Sequence, residues 1–330
     1  MNTQISFLDL CRERSSGNFA QEIADLLGVN LDAAYRRIRG ATALTLEDTK
    51  RLCLQYRISF DSVISFESSQ IPFRFTPMFN DAFNIMDYLG DINKQLQTLA
   101  QNNDGEFVIT AMDLPYFKQF GYTALSRFKL FFWQKSVLHL ENLRDVLFQW
   151  DDKRFDEYDS VTRSIFLNYN QIPSTEIWTT ETIDSALKQV QYYLESGLFA
   201  DKASAVRICQ DILELLERVE EEARLGQKVY STPDKLYRAS FQLYQSDTYL
   251  SNNSIQAMIN GDVYTYVSFN SFNSLMSNSV RFSGECTRWI EQIRAKSILL
   301  SQVSERLRYQ FFLEMRLKVE DMLAKAEDYR

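Results

Sequence analysis

The chain has 330 residues, 45% of them hydrophobic and 24% charged, with only 10 glycines and 5 prolines. This balance excludes wholesale disorder and low-complexity architectures, and the length predicts about two domains. The net charge of −8 makes the whole chain a poor match for nucleic acid, which needs a positive surface, yet residues 1–66 balance eight bases against eight acids.

The N-terminus, MNTQISFLDLCRERSS, mixes acids and bases and lacks the apolar core of a signal peptide. The most apolar stretch, Phe128 to Leu140, is interrupted by Lys129, Gln134 and Lys135 and is too short and charged to span a bilayer. These features predict a soluble, cytoplasmic protein without membrane contact. Cys11, Cys53, Cys209 and Cys286 lie far apart with no CxxC spacing. They predict free thiols rather than a zinc site or a disulfide framework.

Residues 18–27 place Phe19, Ile23, Leu26 and Leu27 on one helical face, with Asn18 as N-cap and Gly28 as the left-handed stop. Asn30 can cap a second helix over 31–39, ended by Gly40. Thr45 to Asp48 resembles a capping box that opens a helix to about Tyr56, and Ser59 can cap a short helix through Ile64. Residues 67–75 read as a linker. Thr76-Pro77 predicts a helix start, with helical spacing to about Ala100. A strand is predicted from Glu106 to Met112, a long helix over 122–149, and helices near 156–169, 179–196 and 201–226. Alternation over 235–270, with Asn260-Gly261 as a hairpin turn, predicts a small antiparallel sheet. The chain then returns to helix from Gly284 to Asp328. The expected fold is mainly α: a helical head at 1–66, a linker at 67–75, and a helical region at 76–330 with a small antiparallel sheet as its α+β element.

The segment 18–40 carries the functional signal. Two short helices joined at a glycine turn form a helix-turn-helix, whose second helix enters the major groove. Ala24 is small where the helices must approach, and Val29 and Ile38 are apolar where they must pack. Asp32, Arg36, Arg37 and Arg39 are the outward positions, and arginine matches both guanine and phosphate.

Residues 19–64 resemble the phage-repressor-like (lambda-repressor-like) helix-turn-helix family of bacterial transcriptional regulators. The resemblance lies in the FAxxIAxLLGV turn helix, the AAYRRIRG recognition helix, the LTLEDxxRLC helix and the closing ISFDSVI. It implies a five-helix unit that binds operator DNA as a homodimer. It also implies that Gln21 contacts phosphate, that Asn30 and Asp32 face bases, and that Arg36 and Arg37 occupy mid-helix groove positions. Gly28 and Ile38 are ten positions apart, one more than the family's commonest spacing. Which of Tyr35, Arg36 and Arg37 faces bases therefore stays open. Tyr35 equally fits packing against Leu31 and Ile38, Asp32 fits a helix-dipole role, and the arginines fit a solvated face.

Residues 76–330 carry no GxGxxG or P-loop, and neither an enzyme nor a cofactor is expected. His139, the sole histidine, reads as a structural residue on a buried helix. Glu220, Glu221 and Glu222, like Asp151, Asp152, Asp156 and Glu157, read as solvated acids. Phe241, Tyr244, Tyr249, Tyr264, Tyr266, Phe269 and Asn270 either line a pocket for an unidentified small-molecule effector or pack on helices. The helices over 77–100 and 284–328 fit dimerisation or internal packing. The expected function is sequence-specific regulation on a double-stranded DNA operator. The alternative is a protein-interaction module of antitoxin or adaptor type.

Overall fold

The computed structural model describes residues 3–56, 58, 60, 71–80, 83–232, 235–248, 250 and 252–329. The chain divides into two compact units, Met1–Phe73 and Arg74–Arg330. Apart from Phe60, the helix expected from Ser59 through Ile64 lies outside the described residues, as do residues 67–70 of the expected linker.

The head contains α1 (Thr3–Glu13), α2 (Phe19–Leu27), α3 (Leu31–Ile38) and α4 (Leu46–Tyr56). Its core gathers Phe7, Leu8 and Cys11 from α1, Ile23 and Leu27 from α2, Ala34 from α3 and Leu52 from α4. Burying each of the larger side chains contributes about 1.5–3 kcal/mol. The capping box at α4 is reciprocal: Asp48 N–H donates to Thr45 Oγ1 at 3.0 Å, and Thr45 N–H donates to Asp48 Oδ2 at 3.1 Å.

In the larger unit the expectation of a mainly α fold with a small antiparallel sheet is overturned. The unit is an α/β structure on an eight-stranded mixed sheet. Its elements are α5 (Ile85–Ala100), β1 (Glu106–Ala111), α6 (Tyr116–Gln119), α7 (Thr123–Phe132), α8 (Asp156–Tyr169), β2 (Ser174–Trp178), α9 (Asp184–Glu195), α10 (Lys202–Leu225), β3 (Gln227–Ser231), β4 (Leu236–Gln245), β5 (Ser254–Ile259), β6 (Asp262–Phe269), β7 (Asn273–Ser277), α11 (Val280–Lys296), β8 (Ile298–Leu299) and α12 (Glu305–Asp328). The strand order is β3-β4-β2-β1-β5-β6-β7, with β8 also on β4. β1, β2 and β4 run parallel, and the other pairings are antiparallel. Parallel neighbours need crossovers, and the helices between β1, β2 and β4 supply them.

One face of the sheet, with Phe107, Ile109, Trp178, Phe241 and Leu243, packs into the main helical core. The other face places Val108, Ile177 and Tyr244 with Ile290 and Ile293 of α11. The missed strand β2 explains the error in fold class. All five of its residues are buried, so it has no polar-apolar alternation to read.

Charge is buried beside β2. Lys118 on α6 pairs with Glu222 at 3.0 Å and Glu176 at 3.6 Å. Glu176 also accepts from Tyr169 Oη and from Trp178 Nε1, and Arg218 Nε donates to Glu222 Oε1 at 2.9 Å. Lys228 Nζ donates to Tyr169 O at 2.8 Å and lies 3.7 Å from that ring's centroid. Burial and the neighbouring Lys118 push the Lys228 amine down to about 7, against the pull of Glu176 and Glu222. The reading of Glu222 as a solvated acid is therefore wrong, because its partners come from distant elements.

Three helix expectations are also corrected. The helix over 122–149 stops at Phe132, then widens into a π turn over Trp133–Val137. Lys135 Nζ donates to the carbonyls of Leu143, Arg144 and Val146, folding the chain back on itself. His139 follows the π turn, exposed and at φ 52°, not on a buried helix. The helix expected over 284–328 is two helices. The break holds β8 and two residues at positive φ, Gln302 and Ser304. Thr76-Pro77 does not start a helix; Asn84 caps α5 instead.

Candidate nucleic-acid interface

The turn between α2 and α3 is fixed by backbone chemistry. Asn18 Oδ1 accepts from Gln21 N–H, and Asn30 Oδ1 accepts from Ala33 N–H at 2.8 Å. Each satisfies an amide that a helix start leaves unpaired. Gly28 has φ 67°, and both its N–H and that of Val29 reach Ala24 O. A Cβ at Gly28 would meet nothing within 4 Å. Glycine is required there for its backbone angle, not for space.

Two ties hold this pair in the head. Gln4 on α1 donates to Arg37 O and Thr42 O and accepts from Leu44 N–H, at 2.7–2.9 Å. Tyr56 Oη donates to Glu22 Oε2 at 2.9 Å, joining α4 to α2. Hydrogen bonds from Ser15 and Tyr56 hold the Glu22 carboxyl below its usual range, while burial pushes the Tyr56 hydroxyl up.

The exposed side of α3 is one stripe. Ala34 faces the core, while Asp32, Tyr35, Arg36 and Arg39 are exposed, at helical spacings that share a face. Arg36 lies 3.5 Å from Asp32, an exposed pair that water weakens. Arg37 is placed differently. Its side chain is 17% exposed, and its Nε lies 3.7 Å from Asp48 Oδ2 on α4. Arg37 thus ties α3 to α4, and the stripe offers Tyr35 and Arg36 instead. Asn30 spends its Oδ1 on capping, which leaves its amide NH2 as the donor. Gln21 is exposed on the first turn of α2 and donates to Asp25 Oδ1 at 2.8 Å.

Leu31 was missed as a surface residue. It is 40% exposed and Tyr35 is 44% exposed. The only signal was that positions 31 and 35 are one turn apart; the spacing of Leu31 from the buried Ala34 reads equally as a core position. An α-helix with its side chains is about as wide as the major groove, roughly 12 Å. Such a stripe can offer Arg36 to a guanine edge, Arg39 to phosphate, and Leu31 to a thymine methyl.

In the larger unit, the aromatic residues expected around a pocket do not converge. Phe241 is buried in the main core and Tyr244 is on the opposite face of the sheet. Tyr264 and Tyr266 pack against the main core, and Phe269 and Asn270 lie at the end of β6. Tyr249 lies outside the described residues. Leu89, Leu96 and Leu99 of α5, and Phe311, Phe312 and Met315 of α12, are buried within the unit's own core.

Among the described residues, no helix is long and apolar enough to cross a membrane, and no group of three or more His, Cys, Asp and Glu is placed to hold a metal ion. No protein-family model, curated protein or solved structure matches this chain.

Proposed function

We propose that the chain is a sequence-specific DNA-binding transcriptional regulator, in which α3 reads the major groove of an operator. The observation that carries this reading is the exposed stripe of Asp32, Tyr35, Arg36 and Arg39 on a helix locked by Asn30, Gly28 and the Gln4 ties. A capped helix with Arg36 and Arg39 outward is what direct readout requires. The larger unit sets dimer geometry or responds to an effector.

The test is selection of duplexes from a random pool, followed by anisotropy titrations at two salt concentrations. One enriched motif, bound more weakly as salt rises, is expected. A palindromic motif would mark a homodimer. Absence of any enriched motif, together with salt-independent binding, would sink the reading.

A second reading has one observation in its favour. Leu46 is 89% exposed and Leu54 is 71% exposed, both on α4. Apolar side chains left in water suit a protein partner, as in an antitoxin or adaptor. Charge reversal on α3 separates the two readings. It removes DNA binding under the first and leaves a co-purifying protein in place under the second.

A further inference from the structure

α12 is apolar on two sides. One side, with Phe311, Phe312, Met315, Val319 and Met322, is buried in the core of the larger unit. The opposite side carries Tyr309, Leu313 and Leu317, each four positions from the next, a spacing that shares a helix face. Tyr309 and Leu317 are more than half exposed, and Leu313 between them is half-buried. A surface helix needs one apolar stripe, turned toward its own core. A second stripe, aligned on the outer side, marks an interaction surface.

The charges along the stripe identify its partner. Arg306 and Glu320 lie on the same face, each seven positions from Leu313, and so about 10 Å from it along the axis. Both are exposed, and among the described residues neither side chain makes an ion pair or a hydrogen bond. The other cations of the helix are engaged. Arg308 donates to the carbonyls of Leu300 and Val303, Arg316 pairs with Glu220, Lys318 with Asp184, and Lys325 with Asp321. The exposed acids Glu305 and Glu314 stand beside the stripe, each about 100° round the helix from its neighbour on it.

The order Arg306, Tyr309, Leu313, Leu317, Glu320 is self-complementary about its centre. A two-fold interface uses that property, since residue i meets j and j meets i. Two copies of α12 laid antiparallel bring Leu313 onto Leu313, Tyr309 of each copy onto Leu317 of the other, and Arg306 of each onto Glu320 of the other. A parallel pair would set Arg306 against Arg306 and Glu320 against Glu320, which the like charges oppose.

We infer that the outer face of α12 is a homodimer surface, which takes the same face of a second copy, antiparallel and centred on Leu313. The pairing goes beyond the DNA reading and does not rest on it. Association is measured without DNA, so failure of one is distinguishable from failure of the other.

The test is sedimentation equilibrium of the full chain over a range of protein concentrations. A reversible monomer–dimer equilibrium is expected. Arg306→Glu and Glu320→Arg each put like charges together twice in every dimer, and each is expected to weaken association at least about tenfold. Mixing the two single variants, or combining both changes in one chain, restores opposite charges at both contacts and is expected to bring the dimer back. Leu313→Glu places two carboxylates at the centre and is expected to leave monomer. The two charge positions are exposed, so the fold is expected to be kept, and circular-dichroism melting reads it alongside. A chain that stays monomeric up to about 100 μM, a dimer that none of these variants weakens, or single variants that mixing does not rescue would each overturn the inference. So would a monomeric chain whose outer α12 face holds a different protein instead.

Discussion

The two units are organised by opposite kinds of interaction. In the head, the helix starts are fixed by residues a few positions away, Asn18 on Gln21, Asn30 on Ala33 and Thr45 on Asp48, and the longest ties, from Gln4 and Tyr56, span 33 to 40 positions. In the larger unit, the organising contacts are remote. Lys118 meets Glu222 across 104 positions, and Lys228 meets Tyr169 across 59. Local order gives a small helical head, whereas remote order gives a sheet that forms only when distant segments meet. All four tryptophans, Trp133, Trp150, Trp178 and Trp289, lie in the larger unit. Tryptophan emission therefore follows that unit alone and allows the comparison to be tested one side at a time.

The largest effect is expected from Lys118→Met. It leaves Glu176 and Glu222 buried without their shared ammonium and costs about 3–5 kcal/mol. Urea unfolding followed by tryptophan emission measures it. Adding Glu176→Leu is expected to recover much of the loss, because an apolar replacement of both partners spares the desolvation. No recovery would show that the cluster does more than balance charge.

Next in size is Gly28→Val. It forces a β-branched residue to φ 67° and destabilises the head by about 1–3 kcal/mol. DNA binding is expected to fall while the tryptophan transition stays put. A shift in that transition would break the separation between the units.

Arg36→Ala and Arg37→Ala divide the head itself. Arg36→Ala is expected to cost about 1–3 kcal/mol in binding and to relax sequence preference. Arg37→Ala removes the tie to Asp48 and is expected to cost up to about 1 kcal/mol of head stability while sequence preference is kept. Selection profiles of the two variants, read beside their circular-dichroism melting, decide the matter. A relaxed profile for Arg37→Ala alone would exchange their roles.

The smallest effect concerns pH. The folded Lys228 amine lies at about 7 and its ordinary value is 10.5. Between those values the unfolded chain holds the proton more firmly than the folded one. The larger unit is therefore expected to gain stability as pH rises through that window, and to carry the full cost of the buried ammonium below it. Urea midpoints by tryptophan emission at neutral and mildly alkaline pH should rise in the parent chain and rise less in Lys228→Met. Equal slopes would remove Lys228 as the cause.

The same contrast governs what could be read from sequence. The α2–glycine–α3 arrangement and the α4 capping box were legible because caps act over three or four positions. β2 was not, since Ser174 to Trp178 carries a glutamate in a buried strand and its compensating Lys118 lies far upstream. The break after Phe132 depends on Lys135 reaching three carbonyls that no periodicity announces. Within the candidate interface, the outward stripe of α3 was legible except for Leu31. The inward turn of Arg37 was not, because its partner Asp48 belongs to another helix.

The chain enters the larger unit at the rim of its sheet. Arg74 forms an isolated bridge with Met276 on the edge strand β7, with N–H to O distances of 2.7 and 2.8 Å in the two directions. Asn273 Nδ2 then holds Thr76 O at 2.8 Å, and the Phe75 ring lies edge-on to Phe269. The entry segment is thus joined to the rim of the sheet by a bridge and a side-chain hydrogen bond, whereas β7 is held to β6 by a continuous ladder from Thr265 to Phe269.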